Sequence, residues 1–166
     1  AYKKYEIGRS LKEENSENVV KKILDDAEEN KCKIIIPEDC LVSKSFEGDA
    51  VSKDVKSLEK DDIILDIGPK TIKIIEEAID NSNTVMWNGP AGYFENKNFA
   101  LGTNAIAQKV SDNTKNKSLI SVLGGGDTIS AINKSGIDLS FTHLSTAGGA
   151  FLEYLEGKDL PGLSVL

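Results

Sequence analysis

Leu123–Ala131 reads LGGGDTISA: three glycines close the apolar run SLISVL (118–123), and an aspartate and a threonine follow where a helix begins. Glycines 124–126 let backbone N–H groups approach a ligand with no Cβ in the way, and the helix predicted over Asp127–Lys134 points its positive end at the same place. That suits a phosphate. It suits equally a tight turn with Asp127 as helix N-cap, a use of aspartate that contributes about 1 kcal/mol. A carboxylate beside a phosphate is repelled unless a divalent cation bridges them, so Asp127 is the expected Mg2+ ligand and Thr128 an expected hydroxyl donor to phosphate. The motif is neither GxxxxGK(S/T) nor GxGxxG, which sets aside a P-loop and a nicotinamide-dependent dehydrogenase.

The same strand-loop-helix rhythm extends in both directions. IILDIG is a predicted strand, Thr71 caps a helix carrying Ile72, Ile75, Ala78 and Ile79 on one face, and TVMWNG is the next strand. Thr103–Val110 is helical, Asp127–Lys134 closes at Gly136, FTHLS is a strand, and Ala150–Glu156 is a helix ended by Gly157. Upstream, Ser16 caps a helix running to Asn30, KIII (33–36) is a buried strand stopped by Pro37, and Leu41–Lys56 is a hairpin turning at Glu47–Asp49. Strands alternating with helices predict parallel pairing: an α/β, three-layer, Rossmann-like domain with helices on both faces. The opening AYKKYEIG reads as the middle of a pattern, so the domain is expected to be incomplete. Ligands in such sheets lie beyond the carboxyl ends of the strands, where DIGPKT, NGPAGYFE, GGGDT and STAGGA gather. NGPAGYFE can flank a base and ribose with Glu95 accepting from ribose hydroxyls, although Tyr93 and Phe94 serve equally as core.

Composition narrows the functions further. The chain of 166 residues is 39% hydrophobic and 28% charged, enough for one packed domain without disulfides. Its net charge of −7 and pI near 4.8 argue against a nucleic-acid surface. No apolar run is long enough to cross a bilayer and no signal peptide is visible, so no membrane partner and a cytoplasmic location are expected. Cys32 and Cys40 form no CxxC pair and lie about 26 Å apart if extended, which predicts two reduced thiols. His143, the only histidine, falls on a predicted strand and reads as structural.

Taken in order, DIGPKT (66–71), VMWNGPAGYFE (85–95), LGGGDT (123–128) and THLSTAGGAFLEYLEGKDLPG (142–162), with YEIGRSL (5–11) upstream, resemble the carboxy-terminal half of phosphoglycerate kinases. The resemblance implies a monomeric glycolytic enzyme of two domains that passes phosphate reversibly between 1,3-bisphosphoglycerate and Mg-ADP, giving 3-phosphoglycerate and ATP. Residues 1–166 are then expected to be part of the nucleotide-binding domain, truncated at its start and lacking the amino-terminal substrate domain. Such a chain is expected to be inactive alone and to self-associate through an exposed sheet edge.

Carried over by position, Gly124, Gly125, Gly126, Asp127 and Thr128 hold the phosphates of ADP or ATP and Mg2+. Glu95 takes the ribose, Asn88, Pro90, Gly92 and Tyr93 lie beside the nucleotide, and Ile64 and Leu65 sit at the adenine pocket, with Ile64 where the family has glycine. Gly148, Gly149 and Thr128 meet the transferring phosphoryl group. Ala147 replaces the first of three family glycines and fits there if its φ is negative. A stand-alone module that senses nucleotide or holds a partner is the alternative.

Overall fold

A computed structural model describes residues 5–165. Its strands form two three-stranded sheets. In the first, β1 (Asp39–Ser43) lies between β2 (Val51–Asp54) and β3 (Ile63–Ile67), antiparallel to both. In the second, β4 (Thr84–Asn88), β5 (Ile120–Gly124) and β6 (His143–Ser145) run parallel in that order. The long crossovers that parallel pairing requires are α3 (Leu101–Lys117) and α4 (Gly126–Ser135). The remaining helices are α1 (Glu17–Glu29), α2 (Pro69–Asp80) and α5 (Gly148–Leu155).

The α/β class and the open parallel sheet agree with the sequence, as does the hairpin within Leu41–Lys56. Two strand assignments change. IILDIG pairs antiparallel with β1 instead of joining the parallel sheet. All five residues of β1 are buried, so its backbone needs partners along both edges, and β3 supplies the second. KIII forms no strand: residues 33–36 pair with no neighbour among the described residues, and Ile34 and Ile36 are exposed. Apolar periodicity marks a segment as fit for burial and says nothing about whether an edge stands beside it.

Helix starts also shift. Pro69 occupies the first turn of α2, where its missing N–H costs nothing, so Gly68 is the N-cap and Thr71 lies inside the helix. The cap itself comes from β1: Asp39 accepts the N–H groups of Lys70 at 2.9 Å and Thr71 at 2.8 Å, and the Thr71 hydroxyl at 2.7 Å. Burial raises the pKa of Asp39, but these donors outweigh it and hold the carboxyl below its ordinary range. The helix predicted over Thr103–Val110 extends to Lys117 and stops at Ser118, which is left-handed. Gly136 ends α4 at φ +68°, as its position predicts.

The main core joins Ile79 of α2, Ile106, Ala107 and Val110 of α3, Leu119 and Leu123 at β5, and Ile132 of α4. A smaller cluster of Leu41, Leu65 and Phe99 lies under the antiparallel sheet. Helix α1 buries none of its residues. Cys32 is exposed and Cys40 buried, both as free thiols, and burial pushes the Cys40 thiol up to about 11. Among the described residues, no helix is long and apolar enough to cross a membrane.

Candidate functional site

Register assembles the site. Asn88 pairs with Gly124, and Gly124 with Ser145, so β4, β5 and β6 end level and their following loops start side by side. These loops surround a cavity of about 290 Å³ lined by Asn88, Gly125, Gly126, Asp127, Thr128, Gly148 and Gly149. Gly89, Thr146 and Leu152 complete the lining and were not singled out from sequence. Gly89 and Thr146 had a legible signal, since both sit inside the quoted glycine-rich loops, whereas Leu152 enters only because α5 turns it toward the cavity.

Gly125 stands at φ +97°, and a Cβ there would meet Asn88 Oδ1 at 2.7 Å. Both the conformation and the space therefore require glycine. Gly148 lies against it, close enough that an added Cβ would approach the Gly125 Cα to 2.6 Å. The Gly125 N–H donates to the Ser145 carbonyl at 3.0 Å, which ties the second loop to the third. Gly124 lies below the cavity as the last residue of β5. Ala147 has φ −85°, so the negative value an alanine needs is met, and α5 begins at Gly148 beside the cavity. Helices α4 and α5 thus both direct their N-termini to this space, a source of positive potential that needs no cationic side chain.

Two roles expected for this loop are revised. Gly125, not Asp127, is the N-cap of α4, because the backbone turns at the glycine; Asp127 lies in the first helical turn. Thr128 is fully buried, and its hydroxyl donates to the Gly124 carbonyl at 2.8 Å while accepting the Gly89 N–H at 2.7 Å. Its hydrogen is engaged within the protein, and Thr128 latches the NGP loop to the GGGDT loop.

Asp127 is exposed at the cavity and, among the described residues, takes part in no salt bridge and no side-chain hydrogen bond. An open carboxylate beside a backbone anion cradle is the donor set that Mg2+ accepts when it also binds phosphate oxygens. The group of Glu59, Asp61 and Asp62 is different, because each of its carboxylates is already paired with Lys44 or Lys53.

The other expected contacts fall elsewhere. Ile64, Leu65, Pro90, Gly92 and Tyr93 line a separate cavity of about 980 Å³, reached also by Ile34, Ile36 and the Val20, Ile23 and Leu24 side of α1. Leu65 packs its side chain into the small core and accepts the Tyr93 N–H at 2.7 Å. The Ile64 N–H donates to Ser10 Oγ at 2.9 Å, so that backbone donor is taken. Tyr93 meets Phe46 edge-on, with ring centroids 5.2 Å apart. Glu95 is exposed and lines neither cavity; its carbonyl accepts from Lys134 Nζ at 2.7 Å. The expected contacts therefore divide between a polar cavity built largely from backbone and a separate apolar cavity built largely from side chains.

A family model described as phosphoglycerate kinase matches residues 1–158. Among curated relatives, the phosphoglycerate kinase of Dictyoglomus turgidum is 45% identical over 164 residues, covering 98% of this chain and 41% of the relative. That of Wolbachia pipientis is 42% identical over 168 residues, 100% of this chain and 42% of the relative. Among solved structures, phosphoglycerate kinase from Coxiella burnetii is 35% identical with a TM-score of 0.89, over 99% of this chain and 42% of that one. The enzyme from Pyrococcus horikoshii is 32% identical with a TM-score of 0.70, over 98% and 40%. The chain thus spans about two-fifths of the length of the curated relatives it matches.

Proposed function

Because the chain belongs to the phosphoglycerate kinase family, we propose that its glycine-rich cavity binds the phosphates of ADP or ATP and that the apolar cavity beside Leu65 and Tyr93 takes the base. The observation that carries this reading is the convergence of three loops, from β4, β5 and β6, on one small space where Gly125 and Gly148 touch and Asp127 remains open. In this reading Asp127 is the protein ligand for Mg2+, which neutralises phosphate charge when bound. Asn88 stands beside the phosphates and Glu95 reaches the ribose.

The whole protein would transfer phosphate reversibly between 1,3-bisphosphoglycerate and Mg-ADP, giving 3-phosphoglycerate and ATP, as a glycolytic enzyme of the cytoplasm. Residues 1–166 would supply part of its nucleotide-binding domain, with the phosphoglycerate held by a substrate domain outside these residues. The acyl phosphate is already activated, so the work left to this chain is positioning and charge stabilisation. Backbone N–H groups at Gly148 and Gly149 would face the transferring group and that of Gly126 the nucleotide phosphates, while Gly125, whose N–H goes to Ser145, would keep the loop open to them. Thr128 serves by holding the two loops together. We propose no turnover by this chain alone.

Isothermal calorimetry with ADP, with and without Mg2+, on the native sequence and on Asp127→Asn tests the reading. Metal-dependent binding that Asp127→Asn abolishes is the expected result. Binding indifferent to both metal and substitution would remove Asp127 from the site.

A further inference from the structure

We propose that Asp66 is a positioning residue for the base side of the site, holding the first turn of α3 and, through it, the backbone of Ala91, Gly92 and Tyr93 that walls the larger cavity. The inference rests on the nucleotide reading above. Ala100, the N-cap residue of α3, makes no side-chain cap. The cap arrives from β3 instead: Asp66 Oδ2 accepts the Gly102 N–H at 2.8 Å, and Oδ1 accepts that of Ile67 at 2.8 Å.

One residue further along α3, buried Thr103 accepts the N–H of Ala91 at 3.0 Å and that of Gly92 at 3.4 Å. The next N–H, of Tyr93, goes to the carbonyl of Leu65, the neighbour of Asp66. Three successive N–H groups of the wall are therefore held by β3 and by the helical turn that β3 caps. The backbone closes tightly on the carboxylate. A Cβ added to Gly92 would lie 2.4 Å from Asp66 Cγ, and one added to Gly102 would lie 2.5 Å from Oδ1. Burial pushes the Asp66 carboxyl up to about 6 against the opposing pull of its N–H donors, so this is an acceptor kept where solvation is poor.

The test compares Asp66→Asn with Asp39→Asn, which weakens the equivalent cap on α2; Asp39, unlike Asp66, lines neither cavity. In the native chain and each variant, amide exchange at Ala91, Gly92 and Tyr93 is followed by NMR relative to the core amide of Val110, and calorimetry measures Mg-ADP and Mg-pyrophosphate. Asp66→Asn is expected to speed relative exchange at the three amides and to weaken Mg-ADP by about tenfold, the order expected for a charged hydrogen bond, while sparing pyrophosphate. Asp39→Asn should do neither. If Asp66→Asn fails to fold, Thr103→Val carries the test with the same expected split.

Unchanged exchange at the three amides, equal loss of both probes, or the same loss in Asp39→Asn would overturn the proposal. Faster exchange confined to the three amides in chains that bind neither probe would support the clamp and overturn the nucleotide reading.

Discussion

At the polar end, Asn88, Gly124 and Ser145 stand in register on three paired strands, and the loops that follow enclose about 290 Å³. At the apolar end, segments as distant as Tyr5–Leu11, α1, β3 and Pro90–Tyr93 surround about 980 Å³, and α1 contributes without burying a residue. The first end is held by backbone geometry that register imposes on neighbouring loops. The second depends on caps and packing between segments remote in the chain. Damage should therefore spread differently from the two ends.

The largest expected effect is at the apolar end. Phe99 is fully buried beneath Leu65, and Phe99→Ala should cost about 3–5 kcal/mol in thermal or denaturant unfolding, taking the base wall with it. Should that variant stay folded and still bind pyrophosphate, the two ends are separable. Next, Gly125→Ala places a side chain at φ +97° against Asn88, a strain of about 1–3 kcal/mol, and should abolish phosphate binding by calorimetry. Unaltered binding there would show that the loop has another conformation available. Thr128→Val strips the Gly89 N–H of its acceptor; a loss of about 1–3 kcal/mol in stability, with weaker Mg-ADP binding, would confirm the latch.

The two buried caps should respond to pH in opposite senses. Asp66, with its folded pKa raised to about 6, stabilises the fold fully below the unfolded carboxyl value of ~4 and loses that contribution as pH rises toward 6. Asp39 is held low in the fold, so its contribution is present above the unfolded value and is lost as pH falls through the folded one. In melting temperature against pH, Asp66→Asn should remove a decline between about pH 4 and 6, and Asp39→Asn should soften the loss in acid. The smallest effect is expected on α1, where half-exposed Ile23→Ser should stay within about 0.5 kcal/mol. A larger loss would mean that α1 contributes more to the apolar wall than its exposure indicates.

The polar end was largely legible. Glycines in quick succession, Asp127 and the strand-loop-helix order are local signals, and parallel pairing places such loops together. Thr128 marks where legibility stopped: its type and place suggested a phosphate contact, but its hydroxyl hydrogen goes to the Gly124 carbonyl, and the Gly89 N–H that its oxygen accepts lies 39 residues away in sequence. The apolar end was legible in part, through NGPAGYFE as a flank for a base, while Ile64 and Leu65 entered only through family resemblance. Neither the antiparallel placement of β3 nor the capping of α3 by Asp66 has a local signature, because each joins residues dozens of positions apart. Gly92 and Gly102 read as ordinary glycines until the carboxylate between them is seen.

The sequence by itself determined the alternation of strands and helices, the glycine-rich loops at the strand ends and the presence of a carboxylate among them, since these follow from residue type and short-range spacing. The tertiary structure decided which edges paired, which hydroxyl was spent inside the protein and which aspartate capped which helix. Those outcomes depend on which distant backbone groups become neighbours, and a buried donor or acceptor takes the partner that folding brings to it.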